Sequence, residues 1–339
     1  MHSLKYLNKY FFKYRGRFVA GVIFVAISNA FAIMPAKLIR YALDEAQMQI
    51  AWYRLSSHFN ESSEIVSAIS FNLFIFAVLV LLMALLKGLF MFFMRQTIIV
   101  ASRHVEYDMK NEIYAHYQTL DSAFYSRNST GDLMNRISED VGRVRSYIGP
   151  AVMYTVNLVV TSILVLYAMF QVSPSMTLIT LIPLPVLSLV IFKVEKIINR
   201  KSERVQNELS SMSTFVQETF SGIRVFKSYA TEQYIEKDFG VKAERYKDKS
   251  MDLVRINSLF QPSLVFLIGL STILTVAAGG YKVIQGEISV GNIAEFVIYV
   301  NMLTWPVAAI GWVVSLMQRA AASQERINEF LMKIGRAHV

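Results

Sequence analysis

Polar and apolar positions along this chain segregate into long blocks rather than alternating at short periods. Residues 18–36 (FVAGVIFVAISNAFAIMPA) carry no charge, and neither do residues 65–86 (IVSAISFNLFIFAVLVLLMALL). From Ser146 to Phe192 there is again no charged residue. That run is too long for one crossing, because about 20 apolar residues already cover about 30 Å of hydrocarbon. The polar turn QVSPS at 171–175, with Pro174, divides it into two helices. Residues 256–281 are uncharged, and 288–318 carry only Glu295. The pattern predicts an all-α membrane protein with six transmembrane helices, over about 18–43, 65–100, 146–171, 174–195, 256–281 and 289–318. A β-barrel would show short alternating segments, which are absent. A soluble helical protein with buried helices does not account for five uncharged stretches of this length.

The polar blocks between the spans are also helical. Ile198, Val205, Leu209, Met212, Val216 and Phe220 recur at helical spacing, so the fourth span continues past residue 195 as the same helix. About 28 residues at 1.5 Å each project roughly 40 Å beyond the hydrocarbon. SGIRVFKSYATE at 221–232 breaks the helix at Ser221 and Gly222, and 232–255 returns. The earlier excursion has the same plan. Residues 95–120 lead out, DSAFYSR at 121–127 forms a tip, and STGDLMNRISEDVGRVRS leads back. Ser129 or Thr130 is the expected N-cap, with Asp132 in the first turn, where it complements the helix dipole.

Charge then orients the spans. With the N-terminus inside, the inner segments 1–17, 101–145, 193–255 and 318 onward hold 28 of the 34 Lys and Arg. The outer connections hold Arg54 and Lys282, while Lys37, Arg40, Lys87 and Arg95 fall within or near spans. The positive-inside rule places both termini in the cytoplasm. It also explains the net charge of +9 without a nucleic-acid partner, because the cations are interleaved with carboxylates rather than drawn into one stripe. Residues 1–17 are expected to form an amphipathic helix on the membrane surface, with Lys5, Lys9 and Lys13 one turn apart; the alternative is a polar start to the first span. The chain is 54% hydrophobic and 17% charged, both on the membrane side of ordinary composition. It has no cysteine, which excludes disulfides and thiolate chemistry.

Four stretches carry a family resemblance. FYSRNSTGDLMNRISEDV at 124–141 resembles the segment that follows the first coupling helix of type I ABC exporters. ETFSGIRVFKSYATEQ at 218–233 is similar to their second coupling helix, and GEISVGNIAEFVIYVNMLTWPVAAI at 286–310 to their last span. SQERINEF at 323–330 resembles the exit toward their nucleotide-binding domain. The likeness is greatest to lipid-flippase-like and multidrug-like bacterial half-transporters. It implies a six-span transmembrane domain over 18–330, in a bacterial inner membrane, working as a homo- or heterodimer with exchanged helices. It implies alternating access that moves a lipid, drug or other amphipath outward. Phe124, Tyr125, Ser126 and Arg127 would then touch a nucleotide-binding domain at one tip, and Ile223, Arg224, Val225, Phe226 and Lys227 at the other. ATP and Mg would belong to that domain, in cis or in trans.

The sequence itself holds no G-x-x-x-x-G-K-(S/T) phosphate loop and no LSGGQ, so no ATPase chemistry and no catalytic residue is expected here. IGRAHV at the end fits no pattern of the family, and ATC GGA AGA GCA CAC GTC, which encodes it, resembles a sequencing adapter. Residues 331–339 are therefore expected to be a truncated end, with natural sequence to about Lys333. The alternatives are a permease served by a separate ATPase chain and a non-transporting membrane scaffold or receptor. A proton-driven carrier working through Glu295 would call for a pair of interrupted spans, which is lacking. Asn157, Asn257, Glu295, Tyr299 and Asn301 are candidates for a substrate cavity, and Glu295, Lys87 and Lys37 are ionisable groups near membrane depth. His2, His58, His104, His116 and His338 show no metal-ligand spacing. The sequons at Asn60 and Asn128 are read as unmodified. Pro35, Pro183, Pro185, Pro262 and Pro306 are hinges or static bends within spans.

Overall fold

The computed structural model describes residues 2–56 and 62–332. The tail at 333–339, Asn60 and Glu61 of the first sequon, His58 and His338 lie outside the described residues. Every described element is helical. A 3-10 turn at His2–Leu7 leads into α1 (Asn8–Lys13), and α2 (Arg15–Ser56) and α3 (Ser62–Thr119) follow. The first excursion is built from α4 (Ser122–Arg127), α5 (Thr130–Asn135) and α6 (Val141–Ser146). π turns at Arg136–Asp140 and Tyr147–Ala151 flank α6. Then come α7 (Val152–Val172), α8 (Pro174–Leu181), α9 (Pro183–Ser221), α10 (Ile223–Ser228), α11 (Glu232–Ile284) and α12 (Val290–Leu331). Among the described residues, six helical stretches are long and apolar enough to cross a membrane.

The helix ends follow local chemistry. Ser129 caps α5, its hydroxyl accepting from the Asp132 amide, and Asp121 caps α4 by accepting from Phe124 N at 2.8 Å. Ser173 is extended and ends α7, and Pro174, which has no amide hydrogen to lose, begins α8. Ser289 and Asn292 form a reciprocal capping box at the start of α12. The long helices far exceed the bilayer. At 58 residues α3 runs about 87 Å, against about 30 Å of hydrocarbon.

The chain divides into two compact units. One holds residues 1–180 and 272–339, the other residues 181–271. In the first, α2 packs along α3, and α12 lies against α2, α6 and α7. The contact of α2 with α3 is close at Gly21, where an added Cβ would lie 2.3 Å from Ile98. Small residues at helix contacts are how membrane helices approach one another, since lipid is as apolar as their own side chains. Outside the bilayer the hydrophobic effect returns. A cluster of Leu7, Tyr10, Met109, Ile113, Val144 and Phe330 gathers the N-terminal segment, α3, α6 and the end of α12. Each such fully buried side chain contributes about 1.5–3 kcal/mol. Phe71, Phe74, Leu81 and Leu85 of α3 point outward within its apolar stretch, as lipid-facing side chains do.

In the second unit α9 and α11 run beside each other. Lys201 pairs with Asp252 at 3.3 Å, and Lys242 lies over the Phe215 ring. Met212, Val216, Phe220 and Phe239 line a recess of about 640 Å³ between the two helices.

Candidate functional site: an intramembrane recess and two hairpin tips

Four helices of the first unit surround a recess of about 490 Å³, within the usual range for small-molecule sites. Helix α2 contributes Ser28 and Asn29, from the middle of its uncharged stretch, and α7 contributes Asn157 and Thr161. Asn29, Asn157 and Thr161 form one network. Asn29 Nδ2 donates to Val25 O at 3.0 Å and to Asn157 Oδ1 at 2.8 Å, and Thr161 Oγ1 donates to Asn29 Oδ1 at 2.7 Å. Within a span, polar groups are satisfied by neighbouring helices and tie them together.

Helix α3 adds Lys87, Met91 and Arg95, one turn apart, on the same wall. Ser28 Oγ donates to the Lys87 carbonyl at 3.1 Å and joins α2 to α3 at the level of that cation. Helix α12 adds Asn301, Met302 and Trp305. The Trp305 ring lies 5.5 Å from that of Tyr154 on α7, and about half of the Trp305 surface is open. The recess thus combines amides, two cations, methionines and an aromatic wall.

A second polar cluster joins the C-terminal half of α2 to the start of α12. Glu295 is fully buried; Arg40 Nη1 meets it at 3.1 Å and Tyr299 Oη donates to it at 2.6 Å. One turn away, Asp44 accepts from Ser289 Oγ at 2.8 Å and from the Gly291 amide at 3.0 Å. A carboxylate at the start of α12 suits the helix dipole. Only glycine fits at 291, because a Cβ there would lie 2.5 Å from both the Arg40 carbonyl and the Asp44 carboxylate. Lys37 lines the cleft beside this cluster.

The two tips are short helices. In α4 the Phe124 ring turns inward and packs 6.1 Å from Phe330, while Tyr125 is exposed and its hydroxyl donates to Tyr117 O at 2.5 Å. Ser126 Oγ donates to Ala123 O, and Arg127 is exposed. In α10 Phe226 packs against Gly222, whereas Ile223 and Val225 point outward, Arg224 is exposed, and Lys227 pairs with Glu232 at 3.3 Å. The two phenylalanines therefore hold their tips together. The outward apolar contacts are Tyr125, Ile223 and Val225.

The first tip is anchored to the end of α12. Arg326 Nε donates to Asp140 at 3.0 Å and its Nη2 reaches the other carboxylate oxygen, so the pair is bidentate. His116 Nε2 lies 3.1 Å from Phe330 O. The N-terminal segment closes over the same cluster. Tyr6, Lys9 and Tyr10 all donate to Glu112, Lys13 meets Asp108 at 2.7 Å, and Ser3 Oγ donates to Ala321 O at 3.2 Å. Burial, and then donation to Glu112, pushes the Tyr6 and Tyr10 phenols well above their ordinary value.

The sequence candidates thus separate. Asn157 and Asn301 line the recess, Glu295 and Tyr299 belong to the Arg40 cluster, and Asn257 is an exposed residue of the second unit. Sequence reasoning missed Asn29 and Thr161 as members of the network, and Ser28 as a lining residue tied to α3. Their one signal was polarity in the middle of an uncharged stretch. Among the described residues, no group of three His, Asp or Glu side chains is placed to hold a metal ion.

The profile of the ABC transporter transmembrane region matches residues 17–307. The chain is 26% identical over 332 residues to "Multidrug resistance-like ATP-binding protein MdlA" of Escherichia coli (strain K12), covering 98% of this chain and 53% of that protein. It is 26% identical over 329 residues to "Probable multidrug resistance ABC transporter ATP-binding/permease protein YheI" of Bacillus subtilis (strain 168), covering 97% and 53%. It is 25% identical over 311 residues to the "ATP-dependent lipid A-core flippase" of Syntrophus aciditrophicus (strain SB), covering 92% and 49%. The chain spans about half the length of these relatives.

Proposed function

The chain belongs to the ABC transporter transmembrane-region family, and from that premise we propose that it is the permease half of an ATP-driven exporter that moves a lipid, drug or other amphipath out of the cytoplasm or inner leaflet. The observation that carries this reading is the mid-membrane recess, whose mixed polar and aromatic lining suits an amphipath. A nucleotide-binding domain, in cis or in trans, binds ATP and Mg and moves the two tips. Tyr125 and Arg127 meet it at the first tip, Ile223, Arg224 and Val225 at the second, and Phe124 and Phe226 keep the tips rigid. The compactness of residues 181–271 as a unit of their own supports their exchange with a second half-transporter. The distribution of Lys and Arg supports a bacterial inner-membrane orientation with both termini in the cytoplasm.

Because the sequence contains no cysteine, single reporters test the topology directly. Ser126→Cys and Ser228→Cys are expected to react with an impermeant maleimide only from the cytoplasmic side, and Lys282→Cys only from outside. For the coupling assignment, Ile223→Asp with Val225→Asp in the complete protein should leave ATP binding intact and abolish substrate-stimulated hydrolysis. Unchanged stimulation would overturn the docking assignment.

A further inference from the structure

Resting on that transporter reading, we propose that the recess selects anionic amphipaths, with Lys87 and Arg95 as the receptor for a phosphate, sulfonate or carboxylate head. Two unpaired cations of one sign carry the argument. Neither Lys87 nor Arg95 has an ion pair or a side-chain hydrogen bond among the described residues, and the lining of the recess contains no carboxylate. Glu295, the carboxylate within the last span, is by contrast met by Arg40 and Tyr299. Both side chains are exposed to the recess, and an ionisable residue within a span that faces an open recess without a protein partner leaves the counter-charge to a ligand.

The surroundings say what else the ligand carries. Lys87 and Arg95 are eight residues apart on α3, about 12 Å along the helix, with Met91 between them. That spacing suits a head with spread or multiple negative charge. Opposite stand Met302 and the open face of Trp305, with Met153 and Tyr154 beside them. Methionine and tryptophan form a soft apolar wall that adapts to a flexible or ringed tail. Asn157 and Asn301 add amides that hydrogen-bond a polar neck. The same head chemistry could belong to an anionic membrane lipid or to an anionic amphipathic solute, and the test separates the two.

Trp305 is a built-in reporter. The signal is the part of tryptophan-to-probe energy transfer that Trp305→Phe abolishes, measured on the complete protein, without nucleotide, in zwitterionic nanodiscs. The probe is anilinonaphthalene sulfonate, with uncharged phenylnaphthylamine as its neutral analogue. In the wild type, dodecyl phosphate should displace the anionic probe at a concentration roughly tenfold or more below that needed by dodecyltrimethylammonium, which has the same tail. Equal displacement overturns the proposal without any variant. Lys87→Gln with Arg95→Gln should weaken the anionic probe roughly tenfold or more and leave the neutral probe unchanged, while Lys87→Arg with Arg95→Lys keeps the preference. An anionic probe unaffected by the glutamine pair overturns the proposal. Quenching of Trp305 by brominated phosphatidylglycerol, but not by brominated phosphatidylcholine, assigns the head to a lipid; anion-selective displacement without that quenching assigns it to a solute. Charge-blind binding in a protein that transports refutes this inference alone. Anion-selective binding in a protein that never transports refutes the exporter reading alone.

Discussion

Replacing Arg326 by alanine tests how the end of α12 is fixed to the first helical hairpin. Arg326 reaches Asp140 with two nitrogens, and Asp140 is 1% exposed within the π turn at 136–140. The partners are not equivalent, because the Arg326 side chain is 46% exposed. Removing Arg326 strands a buried carboxylate, a loss that costs about 3–5 kcal/mol when both partners are buried. Partial exposure of the guanidinium screens the pair, so about 2–3 kcal/mol is the expected cost. Removing Asp140 leaves an arginine that swings into water, at about 0.5–1 kcal/mol. Amide hydrogen exchange reads these differences as local opening. Exchange over residues 136–148 should accelerate about 30- to 150-fold in Arg326→Ala and about two- to fivefold in Asp140→Ala. The double variant should behave like Asp140→Ala, since no carboxylate is left stranded. If Asp140→Ala accelerates exchange as much as Arg326→Ala, the asymmetry of burial does not govern the pair and the reasoning fails.

Two further perturbations address the ends of the first unit. Gly291→Ala forces a Cβ to within 2.5 Å of the Arg40 carbonyl and the Asp44 carboxylate, so α12 must shift from α2 at a cost of about 1–3 kcal/mol; disulfide cross-linking between cysteines introduced at Arg40 and Glu295 should slow, and an unchanged rate would argue against the close approach. The Tyr6 and Tyr10 phenols are raised above 10.0, so the stability they lend is complete below about pH 10 and is lost as pH rises beyond it. Alkaline difference spectra of wild type against Tyr6→Phe with Tyr10→Phe should show two phenols that resist ionisation at pH 11 until the protein unfolds, and ordinary titration of both would refute the contacts to Glu112.

The spans were legible because a membrane asks for one gross property, uncharged length, and residues 18–36, 65–86 and 256–281 announce it. The breaks at Ser173 and Gly222 were legible for a similar reason, since Pro174 and Gly222 act locally. The rotation of each helix was not. In an uncharged run no amphipathic stripe says which way Asn29, Tyr299 or Asn157 points, and only packing places Asn29 between Asn157 and Thr161 while Tyr299 turns to Glu295. The π turns at 136–140 and 147–151 escaped as well. A one-residue insertion leaves the composition helical, yet it re-aims Asp140 into the protein. Lys9 and Lys13 were legible as a cationic face. Their partners, Glu112 and Asp108, lie about a hundred positions away, beyond the reach of any local pattern.

The bond from Ser3 to Ala321 joins residues 318 positions apart, and this has a temporal meaning. A ribosome adding roughly 5–20 residues per second needs roughly 15 to 65 s to make the stretch between them. Leu7 and Tyr10 emerge first, gain Met109 and Ile113 as neighbours when α3 appears, and wait for Phe330 and Ile327 until the last span has been made. The cluster is therefore assembled in two instalments, the second arriving only after residues 181–271 have been made. Over that interval its apolar side chains stand half-covered beside the bilayer. Substitutions at Phe330 or Arg326 would act as lesions of biogenesis, lengthening the time the nascent protein spends open to quality-control proteases.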